Sequence, residues 1–268
     1  MVKFSIIIPN YNSENTIRKC LDSILSQTFK NYEVIIVDDM STDNSIDIIK
    51  EYHKKFPLGQ LKTFILTKKA YNGGTRNIGV SKTIGEYILF LDCDDWIYSK
   101  DSLKAINEIV EMYGTDLIRL PYVAHKNNVN AKVMIKDDTL EKIAKSVFVA
   151  PWTKCVKRSK FVEFPENTLL EDVVQHIAQI DNIESISICR IPYAVWNRDN
   201  VNAISSDVAK YDKNSKRYSS VYRNYADLID LRCKHSYCEE ERQRRLKAYK
   251  DVILHDDVLS LINGVDSQ

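Results

Sequence analysis

The chain has 268 residues, 44 % apolar and 28 % charged, with a formal net charge of +1, which suits a folded protein with one large core and excludes a disordered chain. No apolar run approaches the ~20 residues of a membrane span, and the opening MVKFSIIIPN lacks a secretory apolar region and a small-residue cleavage site, so a cytoplasmic protein without a transmembrane segment is expected. Six scattered cysteines with no CxxC pair, and five dispersed histidines, argue for free thiols and against a structural zinc site.

In chain order, FSIIIP (4–9) reads as a buried strand stopped by Pro9. A helix follows between Ser13 and Thr28, with apolar residues at 17, 20, 21, 24 and 25 behind an Asn12/Ser13 cap. YEVIIVDD (32–39) is a second buried strand. STDNSIDIIKEYHKKF (41–56) begins with Ser, Thr and Asp and carries lysines late, the signature of a capped helix aligned with its dipole. A third strand is expected over 61–66, a glycine-rich turn and short helix over 72–84, and a fourth strand over 86–91. A helix over 99–113 and a strand over 116–123 come next, then a loop or hairpin, a helix over 171–180 and a strand-like run over 185–196.

Strands that are apolar throughout and alternate with helices predict an α/β fold with a mostly parallel sheet covered on both faces. In such sheets ligands lie beyond the carboxyl ends of the strands, near the switch in strand order. Pro9–Asn12, Asp38–Asp39 and Asp92–Asp95 each directly follow a strand, so all three gather on one edge. The last of these, in YILFLDCDDW (87–96), puts three carboxylates into four positions. Such a turn is either a solvated helix cap or a hard-oxygen site suited to Mg²⁺ or Mn²⁺. A strand followed by D-x-D is also how the haloacid-dehalogenase-type phosphatases present an aspartyl nucleophile. That pattern usually sits on the first strand and continues with Thr or Val where this chain has Trp96.

The acidic turn keeps specific company. SIIIPNYNSENTIRKCLDSILSQTFKNYEVIIVDDMSTDNS, then NGGTRNIGV, then YILFLDCDD closely resemble, in order and spacing over roughly residues 4–124, the family 2 glycosyltransferases of the GT-A fold. The resemblance implies an inverting transferase that uses a nucleotide sugar, a UDP-sugar first, with Mn²⁺ or Mg²⁺. It implies that Pro9 and Tyr11 wall the base pocket, that Asp39 hydrogen-bonds the base, and that Arg76 lies near the donor phosphates, where a guanidinium fork suits phosphate oxygens. Asp92 and Asp94 match the pair that holds the ribose and the cation, with Asp95 a further candidate ligand. Tyr11, Asp39 and Gly73–Gly74 also have plain structural readings as a core aromatic, a helix cap and a turn.

An inverting transfer needs a base for the acceptor hydroxyl. ENTLLEDVVQHIAQ (166–179) resembles the family's acceptor-side Glu-Asp motif, with Leu170 replacing its usual Gly; it implies Asp172 as the base and Glu171 as its neighbour on the acceptor side. Both residues equally suit the first turn of any helix. PWTKCVKRSKF (151–161) resembles a segment lining the acceptor cleft, marked by Trp152 and Lys154. YAVWNRDNVNAISSD lacks the late His that many relatives place there as a further metal ligand. The chain divides at 205/206 into a GT-A domain and a basic, tyrosine-rich helical extension: Lys210–Lys250 holds twelve Lys/Arg against six Asp/Glu, with six tyrosines between them. That segment is a solvated helix pair, a membrane-facing surface or a nucleic-acid surface. The acceptor is accordingly a glycan or, as for some phage enzymes, a modified DNA base. The rival classes are a D-x-D phosphatase and a nucleotide-sugar-binding module without turnover.

Overall fold

The computed structural model describes residues 2–134, 139–145, 149–166, 171–200 and 226–255. Its centre is a seven-stranded sheet in the order β10-β6-β9-β4-β1-β2-β3, built from β1 (Phe4–Asn10), β2 (Tyr32–Asp38), β3 (Leu61–Ile65), β4 (Tyr87–Phe90), β6 (Leu117–Arg119), β9 (Lys154–Lys157) and β10 (Ile186–Ile188). All neighbours pair in parallel except β9, which runs antiparallel between β4 and β6.

Period-2 alternation sorts the strand side chains onto two faces. Phe4, Ile6 and Ile8, with Tyr32, Val34, Ile36, Tyr87 and Leu89, share a core with α1 (Ile17–Leu25), α2 (Ser45–His53) and α4 (Ser102–Tyr113). Ile7, Ile35, Val37, Ile88 and Phe90 face the other way, toward α3 (Tyr71–Ser81). The approach of α3 is close: a Cβ on Gly79 would lie 2.5 Å from the Cγ2 of Ile7. The expected doubly covered, mostly parallel sheet is thus present.

The chain runs β1→β2→β3 outward and then returns to place β4 on the far side of β1, so the switch in strand order lies between β1 and β4. Pro9 stands at that crevice. Ile7 accepts the last hydrogen bond from β4's side, through Leu91 N at 3.0 Å, and Pro9, two residues on, faces the same way beyond the end of that strand. A residue without an N–H therefore stands in a central strand where no ladder partner remains.

Three expectations are corrected. The run 116–123 is two strands, because Leu120–Pro121 carries the chain from β6 into β7 (Tyr122–Lys126) of a second sheet. That sheet has the order β5-β11-β7-β8, with β5 (Trp96–Ile97), β8 (Val129–Val133) and β11 (Ala194–Asn197). β7 and β8 form a hairpin closed by Asn127 and Asn128, both left-handed at φ 50° and 62°, as a two-residue type I′ turn requires. The run 185–196 likewise splits between the two sheets, at β10 and β11. The expected glycine-rich turn at 72–84 is helix from Tyr71 onward, with Gly73 and Gly74 buried inside it.

All six cysteines are free. The C-terminal helix α7 (Ser236–His255) and the helical residues 226–230 pack beside α5 (Leu140–Ala144) and α6 (Glu171–Asp181) through Leu228, Cys238, Val174, Ile177 and Ile143. The 205/206 boundary lies outside the described residues. Among those residues no helix is long and apolar enough to cross a membrane.

Candidate active site

The carboxyl ends of β1, β2 and β4 and the first turns of α3 and α6 meet at the switch point. Asn12 (φ 47°), Met40 (φ 64°) and Tyr71 (φ 58°) adopt left-handed backbone there without being glycine. Such residues cost about 1–3 kcal/mol each and cluster where function fixes the backbone. Asn10 holds two strand ends together by donating to Asp38 (2.7 Å) and Ser41 (3.3 Å). Asp39 accepts from the backbone N–H groups of Ala70 (2.7 Å) and Tyr71 (3.0 Å), so its charge sits on the amino end of α3. The plain cap reading of Asp39 is therefore present in part, for the helix at 71 rather than the one at 45. Each of its oxygens keeps lone pairs for a further donor. Lys69 lies 3.4 Å from Asp39 and seats its ammonium on the half-exposed ring of Tyr11, 3.0 Å from the centroid.

Arg76 joins the two halves of the site. Only 3 % exposed, it donates through Nη2 to Asp92 at 2.8 Å and through Nη1 to Glu171. Burial works against its charge, yet the two carboxylates outweigh burial and raise its pKa. Its buried Nε has no hydrogen-bond partner among the described residues. A Cβ on Gly73 would lie 2.4 Å from the carbonyl of Pro165 and 3.2 Å from the Cγ of Glu171. A glycine one turn before Arg76 thus lets the segment around Phe164 and Pro165 close onto α3.

In the acidic turn the three aspartates differ. Asp92 is partly exposed and faces Arg76. Asp94 accepts from Asn200 Nδ2 at 2.8 Å, and burial together with the charge of Asp92 raises its pKa. Asp95 is turned into the protein, 2 % exposed, where it accepts the N–H of Asn197 at 2.8 Å and ties β11 to the turn. Burial holds its carboxyl well above the ordinary value. Among the described residues no cluster of three His, Cys, Asp or Glu forms a closed metal cage. Asp92 and Asp94 do fit a hard cation held by two carboxylates, with water and substrate phosphates as its other ligands.

Asp172, in the first turn of α6, accepts no side-chain hydrogen bond from another described residue. Burial raises its pKa against the opposing pull of Arg76 and Lys154, as a candidate base requires. The two acceptor-cleft markers point inward instead. Trp152 is 2 % exposed and meets Tyr122 edge-on at 5.1 Å. Lys154, equally buried, donates to the carbonyls of Val149 (2.7 Å) and Ala150 (3.3 Å) beside His176 Nδ1 (3.3 Å). Trp152 packs in the main core, and Lys154 is spent on its own carbonyl contacts. In the described part of the basic tail, Arg242, Arg244 and Arg245 pair with Glu239 and Glu241.

Sequence reasoning missed Asn10, Lys69 and Asn200. Asn10 had a signal, since it stands next to Pro9 at a strand end, and Asn200 lies in YAVWNRDNVNAISSD, the segment where the family resemblance places a further metal ligand; Lys69, beyond the end of β3, had none.

The sequence profile described as Glycosyl transferase family 2 matches residues 5–152. The chain is 43 % identical over 112 residues, 40 % of its length, to the poly(ribitol-phosphate) β-glucosyltransferase of Bacillus spizizenii, covering 17 % of that protein. It is 37 % identical over 122 residues, 44 % of its length, to the poly(ribitol-phosphate) β-N-acetylglucosaminyltransferase TarS of Staphylococcus aureus, covering 20 % of it. The matched segment thus spans about a fifth or less of these relatives. The fold superposes on S. aureus TarS 1–349 in complex with UDP-GlcNAc, with a TM-score of 0.73 at 23 % identity over 95 % of this chain and 73 % of that one. It also superposes on the mannosyltransferase PcManGT from Pyrobaculum calidifontis in complex with GDP-Man and Mn²⁺, at 0.63 and 16 % identity over 98 % and 79 %. At these identities the likeness is one of fold, the GT-A architecture.

Proposed function

Because the chain belongs to glycosyl transferase family 2, we propose that it moves a sugar from a nucleotide sugar, a UDP-sugar first, onto an acceptor hydroxyl with inversion. The acceptor we propose is a polymeric glycan or polyol phosphate, the class named in its poly(ribitol-phosphate) relatives. The observation that carries this reading is the Arg76 bridge, which brings the acids of the β4 turn and the amino end of α6 into one crevice at the switch point.

Pro9 and Tyr11 flank the base, and Asp39 contacts it with its remaining lone pairs. Asp92 and Asp94 hold the cation and the ribose. A divalent cation bound there supplies the positive charge that stabilises the departing diphosphate. Arg76 aims Asp92 through their ion pair, with the donor phosphates within its reach. Asp172 takes the proton of the acceptor hydroxyl as its oxygen attacks the anomeric carbon and the bond to the diphosphate breaks; the nucleoside diphosphate leaves with that electron pair, and Asp172 later releases the proton to water.

Calorimetry with UDP, with and without Mn²⁺, tests the donor site. Metal-dependent binding by the wild type that is lost in Asp94→Ala is the expected result. Absence of UDP binding under both conditions would remove the UDP-sugar assignment and turn the search to other nucleotides.

A further inference from the structure

Beside the acidic turn lies a surface that the donor reaction does not use. β5 (Trp96–Ile97) begins immediately after Asp95; its outer face carries Trp96, and Tyr98 follows just past its end. Each ring bears an exposed lysine. Lys19, from α1, places its ammonium 3.1 Å from the Trp96 centroid, and Lys132, from β8, sits 5.3 Å from that of Tyr98. His125 meets Trp96 edge-on at 5.4 Å and donates through Nδ1 to Asn130 Oδ1 at 2.7 Å, which fixes the ring that carries Lys19. One acid, Asp199, faces this group, 3.5 Å from His125 Nε2. A lysine resting on an aromatic face keeps N–H groups turned outward while losing the freedom of its long stem beforehand. Trp96 and Tyr98, close in the chain after Asp94, make two positive, aromatic-backed stations beside the acidic turn.

We propose that this face binds the acceptor chain, and that the acceptor is a polyol polymer joined by phosphodiesters, whose successive phosphates contact Lys19 and Lys132 while the next polyol unit reaches the crevice beside Asp94. The assignment rests on the transferase reading above and names its acceptor. Neutral glycans would gain from the rings alone, whereas a phosphodiester chain satisfies both cations at once.

The test titrates the full chain with a synthetic ribitol-phosphate octamer at low and moderate salt, following Trp fluorescence, and repeats it with the K19Q/K132Q double variant. Expected are salt-sensitive binding by the wild type and weakening of about tenfold or more in the variant, with UDP binding unchanged in both. Equal octamer binding by the variant would overturn the assignment. So would a single-stranded DNA octamer that binds the wild type as tightly as the polyol phosphate, since that would mark a surface for nucleic acid. UDP binding lost in the wild type would instead count against the transferase reading itself, so the two failures are distinct.

Discussion

Asp94 and Asp95 are chain neighbours with opposite surroundings. Asp94 faces the crevice with Asn200 as its polar partner, whereas Asp95 is locked beneath the turn by the N–H of Asn197. An asparagine at 95 can still accept that N–H through its amide oxygen, and it removes a charge whose burial opposes ionisation. Asp95→Asn should therefore keep Mn²⁺ affinity in the presence of UDP, while Asp94→Asn loses it. Metal titration of the two variants separates them, and the reverse pattern would make Asp95 the ligand. Asp172 has a different signature. A base acts deprotonated, and burial holds this carboxyl above the ~3.9 of a free aspartate. Transfer should therefore rise with pH through that elevated value and then level off. Asp172→Asn should lower turnover about 10²–10⁴-fold with UDP affinity retained; unchanged turnover would take Asp172 out of the base role.

Among the elements, α3 has the most demanding fit. It packs on β1 through Gly79 and on the 161–166 segment through Gly73, and it presents Arg76 between them. Gly73→Ala places a methyl 2.4 Å from a backbone carbonyl that cannot swing aside as a side chain end can. The expected cost is about 1–3 kcal/mol of unfolding free energy by denaturant titration, with activity lost as Glu171 is pushed from Arg76. A variant of wild-type stability would show that the segment gives way freely. What could be read beforehand follows the same physical line. Strands β1, β2 and β4 were legible because both faces are buried and their apolar runs are unbroken, and the acids after them were legible because topology puts strand ends together. β9 was not, since KCVK mixes charge with apolar residues and owes its central place to non-local pairing with β4 and β6. Gly73–Gly74 resembled a turn because glycine chosen for close approach looks the same in sequence as glycine chosen for left-handed backbone. Trp152 and Lys154 were expected to line a cleft because burial depends on what packs over them, which periodicity does not report.

At the scale of the molecule the carboxylates divide between the two ends of the sheet. At the end away from the site, Glu33 is buried against its charge, yet hydrogen bonds from Ile84 N (2.6 Å), Lys62 (2.8 Å) and Ser5 outweigh burial and depress its pKa. Asp181, which accepts the N–H groups of Lys234 (2.7 Å) and His235 (2.9 Å) just before α7, is depressed in the same way. The stability these two contribute is present above their unfolded values and lost as pH falls through their lower folded ones. Around the crevice the sign reverses: Asp94, Asp95, Glu171 and Asp172 are all raised, chiefly by burial. The folded state binds their protons more tightly than the unfolded chain does, so stability declines as pH rises from the unfolded carboxylate values to the raised ones. For these carboxylates the two sets together place the maximum of Tm near the unfolded carboxylate values, about pH 4, below the pH at which Asp172 is fully a base. A Tm series from about pH 3 to 8 should show that maximum. Asp95→Asn should flatten its neutral limb and raise Tm at pH 7, because it removes one of the four buried charges while keeping the hydrogen bond to Asn197. A wild-type Tm that rises steadily to pH 8 would mean that the raised carboxylates do not govern the profile, and that His176 and Lys154, whose pKa values burial lowers, outweigh them.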